Sequence, residues 1–429
     1  MKSKFEKSEN FLIKSEKVIP LGSQTFSKSK MILPKGVSPF FAERGSGSKL
    51  FDIDGNEFVD FVNGLACITL GYCDPDIDLA VKEQLKKGVT FSLSHHLETK
   101  LAELLIELIP SAEMVRFAKN GSDATTAAIR LARAYTGREN IAVCGYHGWH
   151  DWYIGSTSRD LGVATETKNL THKFKYNNLE SLERLLDSKK NDFAAVIMEP
   201  MNITWPEKGF LEKVAEITRL NGALLIFDET ITGFRFDLKG AQNYFNVIPD
   251  LSTFGKGIAN GFPLSVLAGK KKYMDLVKDI FFSGTFGGET ISIAAAIAVI
   301  EKYKKYNVIS KLESQGKKII TETLKLIEKH KISDNIAITG HPSWSFINFK
   351  SNKIVPPLTL KTLFLQEVFA RGIYTLGTHN LSFSHSDQDI EKLLTCYDEV
   401  FPILLKALKE DNFFKFLKSE PLKPLFKVR

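Results

Sequence analysis

The chain has 429 residues, of which 57 are Lys or Arg and 50 are Asp or Glu, for a formal charge of +7; 43% are hydrophobic and 25% charged. This balance excludes a disordered, collagen-like or staple-dependent chain and leaves a globular protein able to bury a sizeable core. The lysines are spread singly, densest at Lys270-Lys271-Lys272, with no basic stripe interleaved with aromatics, so they read as solvated faces and a nucleic-acid partner is not indicated.

In chain order, residues 1–20 read as a polar, Lys-rich helix that needs another surface to pack on. Residues 22–39, broken by Gly, Ser and Pro, read as an ordered loop. The runs 49–52 and 58–62 flank Asp54-Gly55-Asn56, a hairpin signature. From residue 97 the pattern alternates. Helices are predicted at 101–109, 123–135 and 210–221, and short apolar strands at 114–117, 141–143, 194–198 and 223–227. Continuous apolar strands separated by helices predict an α/β fold whose mostly parallel sheet is covered on both faces. In such sheets the active groups gather beyond the carboxyl ends of the strands.

Helices at 291–303 and on to 330 follow. Strands at 344–349 and 372–374 with helices at 387–408 and 411–417 then predict a smaller α+β unit. The expected division is residues 1–60 packing with the small domain, 61–310 as the large domain, and 311–429 as the small one. The charged N-terminus lacks the apolar region of a signal peptide, and no run of about 18 apolar residues predicts a membrane span. The scattered cysteines (Cys67, Cys73, Cys144, Cys396) form no Cys-x-x-Cys pair, which fits a reducing cytoplasm.

Four segments carry chemistry. In Phe254-Gly255-Lys256-Gly257 a lysine sits between glycines in an apolar stretch, where desolvation frees an amine for Schiff-base formation. The segment is not a P-loop, because the spaced glycine and the hydroxyl after the lysine are missing. Taken alone, a structural lysine fits as well. Asp228 ends the apolar run 224–227, where an acid needs a cation or donor. A pyridinium nitrogen is one such partner; capping of the following segment is the other reading. Asn120-Gly121-Ser122-Asp123 opens a helix after a strand, which makes either an anion site or plain capping. Tyr146-His147-Gly148-Trp149-His150 offers an aromatic to stack on a flat ring. His147 and His150 lack a third ligand at a recognised zinc spacing, so no metal is expected.

With these segments in order, the chain resembles the class III aminotransferases of fold type I, which use pyridoxal 5'-phosphate. Within them it is most similar to glutamate-1-semialdehyde 2,1-aminomutases and aminomutase-like aminotransferases. The likeness runs from about residue 19 to the end of the small domain. Its specific signature is Asp228-Glu229-Thr230-Ile231-Thr232-Gly233-Phe234-Arg235 followed by Phe254-Gly255-Lys256-Gly257. The resemblance implies a large cofactor-binding domain and a smaller one built from both chain ends. It implies that Lys256 is the catalytic lysine, joined to the cofactor as a Schiff base and moving the proton. Asp228 would pair with the pyridine nitrogen, Gly121 and Ser122 hold the phosphate, Tyr146 stack on the ring and Thr230 stand at its other face. Thr285, in Ser283-Gly284-Thr285-Phe286-Gly287-Gly288, would reach the phosphate of a neighbouring subunit, making a homodimer with shared sites. Glu199-Pro200 matches a family motif, with Asn202 or Thr204 as the partner of the cofactor's phenolic oxygen and Glu199 a candidate substrate contact.

The departures concern substrate. Lys28 stands where the aminomutase has a carboxylate-binding Arg, and a point charge does not replace a bidentate fork. Leu65 stands where it has a Trp, and the 376–381 segment carries no acid. The segments Gly22-Ser23-Gln24-Thr25 and 420–429 are similar to aminomutase-like aminotransferases associated with surface polysaccharides. The expected activity is transfer of an amino group from a small-molecule donor, glutamate by the family's default, to a carbonyl acceptor. The alternatives are a true aminomutase, which is an isomerase, and an idle binding protein on the same scaffold.

Overall fold

The computed structural model describes residues 4–424, so the last residues of the 420–429 segment lie outside the description. The chain divides into two compact units, one from the residues up to Asp74 and those from Ser310 onward, the other Pro75–Ile309.

The first unit begins with the helix Glu6–Glu16, then an antiparallel meander of β1 (Ala42–Ser46), β2 (Lys49–Asp52) and β3 (Glu57–Asp60). The hairpin at Asp54-Gly55 turns on a glycine at φ +87°, a conformation that glycine adopts without steric cost. Residues 61–74 stay with this unit through the Gly47–Tyr72 bridge and a 2.6 Å hydrogen bond from the Tyr72 hydroxyl to Asp60 Oδ2.

The second unit carries a seven-stranded sheet. Its strands are β4 (Met114–Ala118), β5 (Asn140–Cys144), β6 (Thr171–Lys173), β7 (Phe193–Met198), β8 (Leu224–Glu229), β9 (Leu251–Phe254) and β10 (Ser265–Gly269). They run in the order β4-β10-β9-β8-β7-β5-β6, with β10 antiparallel to both neighbours and the run from β9 to β6 parallel. The side-chain period of two decides the packing. Ile141, Val143, Ile197, Leu224 and Ile226 pack on one face with Ala128, Ile129 and Leu131 of the helix Gly121–Thr136. Ala142, Val196, Met198, Leu225 and Phe227 pack on the other with Phe210 and Val214 of the helix Phe210–Leu220. Both faces are covered, as the unalternating apolar strands require.

The chain then returns to the first unit. There β13 (Ile373–Tyr374) joins β3 in parallel, and β11 (Ile336–His341), β12 (Trp344–Phe349) and β14 (Thr378–Asn380) form an antiparallel sheet. The helix Asp387–Lys409 closes the unit. The helix expected at 411–417 is only the short 3-10 turn Phe413–Phe416, which Asn412 caps at Phe414 N. Among the described residues no helix is long and apolar enough to cross a membrane.

Candidate active site

Beyond the carboxyl ends of β5, β7, β8 and β9 lies a cavity of about 140 Å³, lined among others by Ser122, Tyr146, Glu199, Asp228, Thr230 and Lys256. Each reaches it for a local reason.

Asp228 is the penultimate residue of β8 and is 4% exposed. It lies on the same strand face as Leu224 and Ile226. Its Oδ1 accepts from Thr230 N (3.1 Å), Thr230 Oγ1 (2.5 Å) and Thr253 Oγ1 (3.1 Å), and its Oδ2 from His147 Nδ1 (2.9 Å). Burial alone would raise the carboxyl, but the His147 and Thr230 donors outweigh it and hold Asp228 below the usual carboxylate range. Oδ1 is saturated, whereas Oδ2 keeps acceptor capacity beside the single bond from His147. The backbone bond from Thr230 matches the local-capping reading of Asp228, and it falls on Oδ1, not on Oδ2.

His147 was set aside as a metal ligand in the sequence, and its role as a partner of Asp228 was missed. The ring is 1% exposed, and its Nε2 lies 3.2 Å from the Cys144 carbonyl oxygen. Both ring nitrogens thus face acceptor oxygens. The available signal was a buried acid that requires donors and a histidine three residues past the end of β5, two strands away in the sheet. His150 faces elsewhere, with Nδ1 2.7 Å from Thr126 Oγ1. Thr253, also missed, stands opposite Asp228 in the parallel register of β8 and β9.

Lys256 follows β9 at the start of a 3-10 turn, with its backbone at φ +45°. A left-handed non-glycine residue costs roughly 1–2 kcal/mol, and such strain collects at functional sites. The helix Gly121–Thr136 opens at the same cavity. Asn120 N bonds Asp123 Oδ2 at 2.8 Å, and Gly137 ends the helix at φ +66°. The first-turn N–H groups and the helix dipole face a ligand there with partial positive charge. Ser122 Oγ accepts from Trp149 N at 3.2 Å, which leaves its hydroxyl proton to donate. A Cβ on Gly121 would approach Thr230 Cγ2 to 3.1 Å, and one on Gly148, at φ +101°, would strike Ser122 Oγ. Tyr146 is held by an edge contact to Tyr153 (5.6 Å between centroids) and by a 2.9 Å bond from its N–H to Glu199 Oε2.

These groups fit pyridoxal 5'-phosphate: a carboxylate with spare capacity for the pyridine nitrogen, a helix N-terminus and hydroxyl for phosphate, an aromatic ring and an amine. Asn202, Thr204, Thr285 and Lys28 lie outside the lining of this cavity. The Asn202 amide donates to Glu199 Oε2 at 2.8 Å. Thr285 lies on an exposed loop and lines a separate cavity of about 770 Å³. Lys28 lies in the first unit, exposed, where its charge acts to lower the acidic group of Asp60, which burial raises overall.

Comparison with known proteins agrees with this chemistry. Residues 32–388 match the family described as Aminotransferase class-III. The chain is 36% identical over 399 residues to the 3-aminobutyryl-CoA aminotransferase of Cloacimonas acidaminovorans, covering 91% of this chain and 95% of that protein. It is 34% identical over 422 residues to the glutamate-1-semialdehyde 2,1-aminomutase of Methanosarcina acetivorans, covering 90% and 99%. Among solved structures, the pyridoxal-phosphate-bound FumI protein of Sphingopyxis sp. MTA144 superposes with a TM-score of 0.87 at 26% identity, covering 96% and 99%.

Proposed function

Because the chain belongs to the class III aminotransferases, enzymes of fold type I that depend on pyridoxal 5'-phosphate, we propose that it moves an amino group from a small-molecule donor, glutamate by default, to a carbonyl acceptor. The observation that carries the reading is the convergence of Lys256, Ser122, Tyr146 and the four-donor carboxylate of Asp228 on one cavity. Bound there, the cofactor supplies an electron sink for the bond broken at the amine-bearing carbon. The rest is work of the chain. Asp228 holds the pyridine nitrogen, and its low pKa keeps it ionised to do so. Gly121, Ser122 and the helix behind them hold the phosphate, and Tyr146 and Thr230 confine the ring. Lys256 holds the cofactor and moves the proton at the reacting carbon. Glu199 orients the Tyr146 loop and reaches the substrate, and Lys28 favours an anionic acceptor.

Thr285, exposed beside Phe281 and Phe286 (84% and 59% exposed) and outside its own chain's cofactor cavity, fits a homodimer in which it reaches the partner subunit's phosphate. The likeness of residues 22–25 and 420–429 to polysaccharide-associated aminotransferases supports an acceptor that is a surface-glycan building block.

The test is the half-reaction: L-glutamate added to the holoenzyme should bleach its visible band, and a carbonyl acceptor should restore it. An enzyme that converts glutamate-1-semialdehyde without a donor, and ignores glutamate, is instead an aminomutase. The loss of the Arg and Trp positions to Lys28 and Leu65 favours the aminotransferase.

A further inference from the structure

A second cavity, of about 550 Å³, adjoins the cofactor cavity and shares Glu199 with it. The Glu199 carboxylate forms the common wall. Its Oε2 accepts from Tyr146 N, on the cofactor side, and from the Asn202 amide, on the side of the larger cavity. Asn202 and Thr204, expected at the cofactor, line this second space instead.

Three features define what it would take. Phe174, 5% exposed, and Ile203 supply apolar wall. Asn202 Oδ1 is buried with no hydrogen-bond partner among the described residues, an acceptor whose desolvation is uncompensated until an occupant or water donates to it. Lys173 and Lys175, both exposed, line the cavity too and place two positive charges at its solvent side. Glu199 is the one carboxylate on the lining, so two lysines against one acid leave that lining with a positive balance. Apolar walls, one convergent polar group and a cationic edge are the composition of a small-molecule site.

We propose that this cavity is the subsite for the far end of the substrate, an apolar segment that ends in an anionic group held by Lys173 and Lys175. The assignment rests on the aminotransferase reading, and it places the segment against the same carboxylate that positions the Tyr146 loop.

The probe is octanoate, an apolar chain with one anionic end, titrated calorimetrically into the holoenzyme with octanamide as the uncharged control. Octanoate should bind at least fivefold more tightly than octanamide and should shift the cofactor's visible band, since Glu199 links the two cavities. Lys173→Glu with Lys175→Glu should erase the preference for the anion. Ile203→Trp should fill the cavity and weaken both ligands tenfold or more. Absence of binding, equal affinities in the wild type, a preference that survives charge reversal, binding undiminished by Ile203→Trp, or a band that does not move would each overturn the proposal. If the holoenzyme shows no visible band at all, the cofactor reading itself has failed; if the band is present and octanoate does not bind, only the subsite has.

Discussion

Thr253 and Asp228 face each other across two parallel strands, with the threonine hydroxyl donating to Oδ1 at 3.1 Å. The pair shows how the sheet prepares the carboxylate. Register alone brings a β-branched hydroxyl residue beside the acid, so the second donor to Oδ1 needs no loop to place it. With Oδ1 occupied by Thr230 and Thr253, the carboxylate is fixed in rotation and Oδ2 is the atom left for a ligand.

Removing that hydroxyl without changing shape is the direct check. Thr253→Val should cost about 1.5–3 kcal/mol of stability, the penalty of a lost bond to a buried charged group. It should also weaken cofactor retention on dialysis. Thr253→Ser should restore both, measured by thermal unfolding and by the visible band; a Val variant that matches the wild type in both would show the bond to be idle.

His147 is the partner of the other carboxylate oxygen, and both residues are nearly sealed from solvent. His147→Asn leaves the buried carboxylate without its imidazole donor, a change that costs about 1–3 kcal/mol where a buried hydrogen bond to a charged group is lost. The expected outcome is a lower Tm together with a loss in kcat/KM, as Asp228 becomes harder to ionise. Unchanged kinetics would mean that Asp228 is held by the threonines alone.

Gly148 lies against Ser122. Gly148→Ala forces an alanine into left-handed backbone, worth roughly 1–2 kcal/mol, and drives its methyl into the Ser122 hydroxyl. Affinity for pyridoxal phosphate should fall more than stability does. Gly145→Ala should behave similarly through Glu199, whose Oε2 would lie 2.6 Å from the new Cβ. Equal losses in cofactor affinity and in apo-protein stability would show a general packing defect instead.

In the first unit, burial pushes His379 down to about 3 and His385 down to about 4, so both stay neutral when folded. Their folded pKa values are depressed, so the stability they contribute is complete above about pH 6.5. It is lost as pH falls from there toward 4 and 3, because the unfolded chain takes up protons that the native one refuses. By pH 5 each would cost about 2 kcal/mol. Glu229 works in the opposite sense: burial raises it to about 7, so its protonation favours the fold between about pH 7 and 4.5. Comparing wild type with His379→Gln cancels Glu229. The variant should lose less stability than the wild type between pH 7 and 5 in chemical denaturation, and parallel curves would contradict the assignment.

Much of the large unit could be read from the sequence because its signals are local. Apolar runs of four to six residues mark β7 and β8, and the Asn120-Gly121-Ser122 helix start sits beside its strand. Lys256 and Asp228 could be found because cationic and acidic groups in apolar settings demand a reason. What stayed hidden depends on distant partners. His147 meets Asp228 across 81 positions, and Thr253 meets it only through strand register. β10 and the three-residue β6 are too short or too unpatterned to stand out. The left-handed turn at Asn63, Gly64, Leu65 and Ala66 has no composition signal either. It is held by the Asn63 side-chain amide, which donates to the Asn380 carbonyl oxygen, and by the Asn380 side-chain amide, which donates to the Val62 carbonyl oxygen, residues far apart in the sequence.

The central claim is that this cavity holds pyridoxal 5'-phosphate on Lys256 and uses it to accept an amino group. Purified protein supplied with the cofactor should absorb at about 420 nm, the band of a protein-bound Schiff base. Addition of L-glutamate should bleach that band, and Lys256→Ala should lack it while still binding the cofactor non-covalently through Asp228, Gly121 and Ser122. Wild-type protein that takes up no cofactor, or a Lys256→Ala variant that keeps both the band and its bleaching by glutamate, would contradict the account.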